Sequence, residues 1–157
     1  MFELSKEGKE FVKKELDRYE DRYSAIIPCL YWAQKENKGW ISPEVIDCLA
    51  KEMDLPQSRI YEVAMFYTMF NKKPVGKYHI QVCCNISCSM AGGRELMGHI
   101  CKKLGVTPEE VTKDGRFTVS QVECLGSCGT APMMQVNDDY HENLTTETVD
   151  RFLSECK

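Results

Sequence analysis

The feature that most limits the fold is a change of period at one place. Before the segment NKKPVGK, residues 71–77, apolar residues recur at helical spacing, and after it they alternate as they do in strands. Such a chain folds as a helical unit followed by a mixed one. We therefore expect a helical bundle over residues 1–72 and a second domain over 73–157, and a hydrophobic content of 43% suffices for a real core.

In the first half, Val12, Leu16, Tyr19 and Tyr23 fall at i, i+4, i+7 and i+11 and line one face of a first helix. A second helix runs from near Ser24 to about Glu36, with Pro28 tolerated in its first turn, and Asn37-Lys38-Gly39 stops it. Ser42 caps a third helix that begins at Pro43 and reaches about Met53. Pro56, Gln57 and Ser58 open a fourth, through RIYEVAMFYTMF. There Val63, Phe66, Tyr67 and Phe70 share a stripe that we expect in the bundle core, although methionine and aromatic residues also suit a contact surface.

The second half reads as β-α-β-β-α. KYHIQVC alternates, with Tyr78, Ile80 and Val82 on one face and His79, Gln81 and Cys83 on the other. RELMGHICKKLG is a helix with Leu96, Ile100 and Leu104 as its apolar stripe, and it ends at Gly105. GRFTVSQVEC is the next strand, and MMQVN is a short one on which at most one of Met133 and Met134 should face inward. LTTETVDRFLSEC closes the chain as a helix capped by Thr145 or Thr146.

Charge excludes several function classes. A net charge of -4 and a pI near 5.5 attract neither nucleic acid nor anionic lipid, and no stretch reads as a signal peptide or a membrane span. We expect a cytoplasmic protein, where a framework of disulfides among nine cysteines is disfavoured. Cys29, Cys48, Cys101 and Cys156 are scattered and expected to pack, whereas Cys83, Cys84, Cys88, Cys124 and Cys128 form two tight groups.

Topology brings those groups together. In a strand-helix-strand crossover the two strands run parallel, so Cys83 and Cys124 end at the same sheet edge, where an open α/β sheet holds its ligand. Each group supplies a close pair, Cys83-x4-Cys88 and Cys124-x3-Cys128. Four thiolates suit a [2Fe-2S] cluster or structural zinc. The glycines Gly92, Gly93, Gly126 and Gly129 allow backbone N–H groups to approach sulfur and favour the cluster, but spacing alone leaves zinc open. Rieske ligation lacks its histidines, thiol catalysis lacks a C-x-x-C motif, and His79, His99 and His141 are expected as surface or packing residues.

The segments YEVAMFYTMF (61–70), VCCNISC (82–88), VECLGSCGTAPMMQVND (122–138) and HENLTTETVDRFL (141–153) resemble, in order, the thioredoxin-like [2Fe-2S] subunit family of bacterial NADH:quinone oxidoreductase, respiratory complex I. The resemblance implies an α/β chain, α+β overall, with a helical bundle ahead of a thioredoxin-like [2Fe-2S] ferredoxin domain. By position it implies Cys83, Cys88, Cys124 and Cys128 as ligands of one [2Fe-2S] cluster, with Cys84 a bystander. Cys83 and Cys88 would hold one iron and Cys124 and Cys128 the other. The implied role is single-electron exchange with the FMN of a partner flavoprotein that also binds NADH, within an NADH dehydrogenase and translocase whose complete active site this chain alone does not hold. In agreement, no G-x-G-x-x-G follows a strand here. Further iron-sulfur and membrane subunits are implied partners, and the implied location is peripheral, at the cytoplasmic face of the inner membrane. Related subunits serve NAD-reducing hydrogenases and formate dehydrogenases. A zinc-stabilised binding module or an iron-sulfur sensor are the readings from another class.

Overall fold

Ser5 accepts the N–H of Gly8 on its hydroxyl and so opens the first helix, α1 (Lys6–Arg18). This is a computed structural model of the chain, and it describes residues 2–157. The chain divides into two compact units, Met1–Pro74 and Val75–Lys157.

The first unit is helical. After α1 come a short 3-10 turn (Arg22–Ala25), α2 (Ile26–Glu36), α3 (Pro43–Met53) and α4 (Gln57–Phe66). Val12, Leu30, Ala33, Leu49, Met53, Ile60 and Phe70 pack into one core, and Ser42 caps α3 as expected, accepting the Val45 N–H. Two expectations fail here. The first helix does not reach Tyr23: Tyr19 is extended, and Asp21 accepts the Tyr23 N–H to start a separate turn, which leaves Tyr23 46% exposed. Nor do Val63, Phe66, Tyr67 and Phe70 form one core stripe, because α4 ends at Phe66, which is 78% exposed, and Tyr67 turns extended. Ile60 and Ala64 are the fully buried residues of that helix, and Phe70 fills the core from beyond its end, against Tyr31.

The second unit is a four-stranded sheet of order β2-β1-β3-β4 with helices packed on it. Its strands are β1 (Tyr78–Cys83), β2 (Phe117–Val122), β3 (Met134–Val136) and β4 (Asp139–His141). β1 and β2 are parallel, as the crossover argument requires, and β3 runs antiparallel to both β1 and β4. Between β1 and β2 lie α5 (Ile86–Met90) and α6 (Gly93–Leu104), and α7 (Thr146–Glu155) closes the unit. Ile80, Val82, Val119 and Met134 of the sheet bury against Leu96 and Ile100 of α6 and Val149 and Leu153 of α7. Thr145 is the cap of α7, in a reciprocal pair with Thr148, and Gly105 ends α6 at φ 66°.

Two elements were not visible in the sequence pattern. α5 is nucleated by Asn85, whose side chain accepts the Ile86 N–H at 2.7 Å, and its five residues are too few to show a period. β4 is a three-residue strand joined to β3 by the two-residue turn Asn137-Asp138, with Asn137 at φ 54°. Among the described residues no helix is long and apolar enough to cross a membrane.

Candidate metal centre

Parallel pairing places Cys83 opposite Val122, so Cys124 follows two residues beyond the end of the same edge. The chain past Cys83 is tied down on both sides. The Cys83 N–H donates to Met133 O at 3.2 Å and the Cys84 N–H to Val122 O at 3.0 Å. Strand alternation then separates the adjacent cysteines: Cys84 enters the main core, its sulfur 4.0 Å from Met97 Sδ, while Cys83 joins a second, smaller buried cluster with Cys88 and Met133.

That smaller cluster is dry. Cys83, Cys88 and Met133 are 4%, 2% and 0% exposed, and Val122, Leu125 and Ala131 pack around them. Burial, followed by the neighbouring Cys83 thiol, pushes Cys88 up to about 11. A metal that takes the sulfur as thiolate would offset that cost. Met133 and Met134 are both fully buried, which corrects the expectation of one inward residue: Met134 serves the main core and Met133 the cysteine cluster, because this sheet edge is covered on both faces.

Close packing at Gly93 fixes the position of Cys88. A Cβ there would stand 2.8 Å from both Cys83 O and Cys88 O, so glycine at the start of α6 lets the two cysteine backbones approach it.

The other pair lies on an exposed loop. Cys124 and Cys128 are both exposed, and Cys128 opens a 3-10 turn that runs to Thr130. Gly126, at φ 77°, donates its N–H to Cys124 Sγ at 3.4 Å. Residues after the loop hold it: Tyr140 Oη–H donates to Leu125 O at 2.7 Å, and the Glu142 carboxylate accepts from the hydroxyls of Ser127 and, at 2.6 Å, Thr130. The Asn143 N–H donates to Thr130 O at 2.8 Å, and the Ala131–Pro132 bond that follows is cis.

Of the four expected ligands, then, Cys83 and Cys88 lie together and Cys128 is close enough to act electrostatically on Cys88. Cys124 is exposed at the start of the loop, and among the described residues no three Cys, His, Asp or Glu side chains converge as a ready ligand set. Histidine is engaged elsewhere: His79 Nε2 pairs with Ser120 Oγ at 2.7 Å, His99 with Asp150 at 2.7 Å, and His141 packs on Phe152. Thiols are thus the donors at this edge, one pair buried and one on an exposed loop, and this fits a sulfur-ligated metal group. The scattered cysteines behave as packing residues where they are buried, with Cys29 pushed up to about 12 by burial.

A family model described as thioredoxin-like [2Fe-2S] ferredoxin matches residues 12–157. The chain belongs to that family. It is 42% identical to the E subunit of NADH-quinone oxidoreductase from Rickettsia bellii, across 99% of this chain and 95% of the relative. It is 47% identical to the protein of that name from Rickettsia conorii, across 85% of this chain and 80% of the relative. The E 2 subunit of the Rhizobium meliloti oxidoreductase is 43% identical across 92% of this chain and 86% of the relative. In fold it is similar to a crystal structure of NAD+-reducing [NiFe]-hydrogenase in the air-oxidized state, with TM-score 0.70 at 24% identity. That likeness covers 81% of this chain and 22% of the hydrogenase chain.

Sequence reasoning missed Met133, Tyr140 and Glu142 as parts of this centre, and it named Gly93 for an N–H approach to sulfur where the structure shows close packing against Cys83 O and Cys88 O. The Asn137-Asp138 turn signal, a two-residue break between alternating segments, would have folded Tyr140 and Glu142 back over the loop.

Proposed function

We propose that this chain is the electron-transfer subunit of an NADH:quinone oxidoreductase and holds one [2Fe-2S] cluster on Cys83, Cys88, Cys124 and Cys128. The observation that carries the reading is a histidine-free set of thiols at one sheet edge, in a chain whose family match runs over residues 12–157. Bound there, a [2Fe-2S] group supplies one-electron exchange, the complement of a flavin that divides the two-electron chemistry of NADH.

The residues of the chain do the rest. Cys83 and Cys88 supply two sulfurs from a buried wall, where Met133, Val122 and Leu125 exclude water. Cys124 and Cys128 supply two from the exposed side, the side from which a partner is reached. The Gly126 N–H bond to Cys124 sulfur would stabilise added negative charge and so raise the reduction potential. In this reading residues 73–157 are the cluster domain and residues 1–72 a helical domain joined to it. The partner is the flavoprotein subunit that carries FMN and binds NADH, alongside further iron-sulfur and membrane subunits, with the assembly at the cytoplasmic face of the inner membrane.

Anaerobically purified protein should be red-brown, with two irons per chain and an electron paramagnetic resonance signal after one-electron reduction. A colourless protein with one zinc would overturn the reading. Co-purification with a flavoprotein separates an electron-transfer subunit from an iron-sulfur sensor.

A further inference from the structure

The strand that sequence reasoning missed, β4, buries little: Asp139 and Tyr140 are exposed, Tyr140 at 51%. Beyond the pairing of β4 with β3, the side chains of Tyr140 and Glu142 reach the cysteine loop and hold it at two points.

At the first point, the Tyr140 hydroxyl bonds to the carbonyl oxygen of Leu125, and the N–H of the same peptide unit, on Gly126, bonds to Cys124 sulfur. A peptide is planar, so holding its oxygen sets the direction of its N–H. A hydrogen bond accepted at the carbonyl also polarises the amide and makes its N–H a stronger donor. At the second point, one oxygen of Glu142 accepts from both Ser127 and Thr130, the residues that bracket Cys128. Those two hydroxyls hold the Glu142 carboxyl below its ordinary range, so it carries a negative charge beside the loop.

We propose that Tyr140 and Glu142 are positioning residues for the exposed cysteine pair, Tyr140 aiming the Gly126 N–H at Cys124 and Glu142 fixing the turn that carries Cys128. This rests on the reading of Cys124 and Cys128 as cluster ligands. Loss of the phenol frees the Leu125–Gly126 peptide, weakens the N–H donor and disfavours the reduced, more negative state. Loss of the Glu142 charge has the opposite sign, since it removes a repulsion from the added electron.

The test uses the full chain loaded with iron and sulfide, and it reads iron content, the reduction potential by spectroscopic titration, and the rate of iron loss to a chelator. Tyr140→Phe should keep two irons per chain and the wild-type circular dichroism while its potential moves negative. Glu142→Gln, which keeps a hydrogen-bond acceptor, should move the potential positive, and Glu142→Ala should lose iron several-fold faster than Glu142→Gln. A Tyr140→Phe potential equal to wild type, or equal chelation rates for the two Glu142 variants, would overturn the inference. Loss of iron together with lost circular dichroism in Tyr140→Phe would also overturn it, as the mark of a merely structural residue. Cys124→Ser keeps the two failures apart: a wild-type spectrum and two irons in that variant refute the ligand assignment itself, whereas an altered Cys124→Ser cluster beside a silent Tyr140→Phe refutes only the role of Tyr140.

Discussion

The two cysteine pairs are built in opposite ways. Cys83 and Cys88 lie in a buried cluster with Met133, Val122, Leu125 and Ala131, whereas Cys124 and Cys128 ride on an exposed loop held by side-chain hydroxyls and a carboxylate. The first pair is preset by packing and the second by polar contacts that water can replace. On the proposed ligand set, the metal group would enter from the loop side while the inner wall stays folded.

The strongest test of that contrast replaces one cysteine from each pair. Both Cys88→Ser and Cys128→Ser should lose most of the bound iron, but only Cys88→Ser should also destabilise the iron-free protein, because it buries a hydroxyl at a cost of about 1–3 kcal/mol. Iron analysis with chemical denaturation of the apo forms checks both. Equal apo stabilities would break the contrast. Next in size is Met133→Ala, which opens a cavity against Cys83 and Cys88 and should cost about 2–5 kcal/mol of stability. Gly93→Ala sharpens the same point from the backbone, since the added methyl would meet two carbonyl oxygens at 2.8 Å; a loss of about 1–3 kcal/mol and a slower uptake of iron are expected.

Cys84→Ser asks whether the bystander is one. It should leave iron near two per chain and lower the melting temperature, because Cys84 packs with Met97 in the main core; iron loss in this variant alone would exchange the roles of Cys83 and Cys84. The smallest effect concerns pH. Burial holds His79 below its ordinary value, with Glu109 opposing, so the folded state takes up a proton less readily than the unfolded one. Stability should therefore be full above the unfolded value, near 6.5, and fall as pH drops below it. The fall should be shallower in His79→Gln, as measured by denaturation at pH 7.5 and about 5.5.

Much of this centre was legible because it depends on long-period features. The switch at residues 71–77 follows from a change of period and the parallel strands from the crossover rule, while the split of Cys83 from Cys84 rests mainly on the x4 spacing shared with the family and only secondarily on alternation. The features that escaped are short or tertiary. α5 and β4 span five and three residues, too few to repeat a pattern. The pair Met133-Met134 exceeds the one inward residue that alternation allows, because a methionine facing a second small core looks, in sequence, like one facing solvent. Phe66 was misjudged because nothing in AMFYTMF marks the turn to extended backbone at Tyr67.

The pairing of Cys83 with the end of β2 has a bearing on how such chains can diverge. Tyr78 to Cys83 match Phe117 to Val122 residue for residue, and the stretch ahead of β2 is tied to that strand, with Val111 bridging Thr118 and the Glu109 N–H donating to Val119 O at 2.8 Å. A residue gained or lost between Glu109 and Phe117 would shift that pairing, and one added between Cys83 and Cys88 would disturb the close approach of both backbones to Gly93. Length variation among relatives should therefore be rarer between Glu109 and Phe117, and inside each cysteine pair, than in the residues just after Gly105.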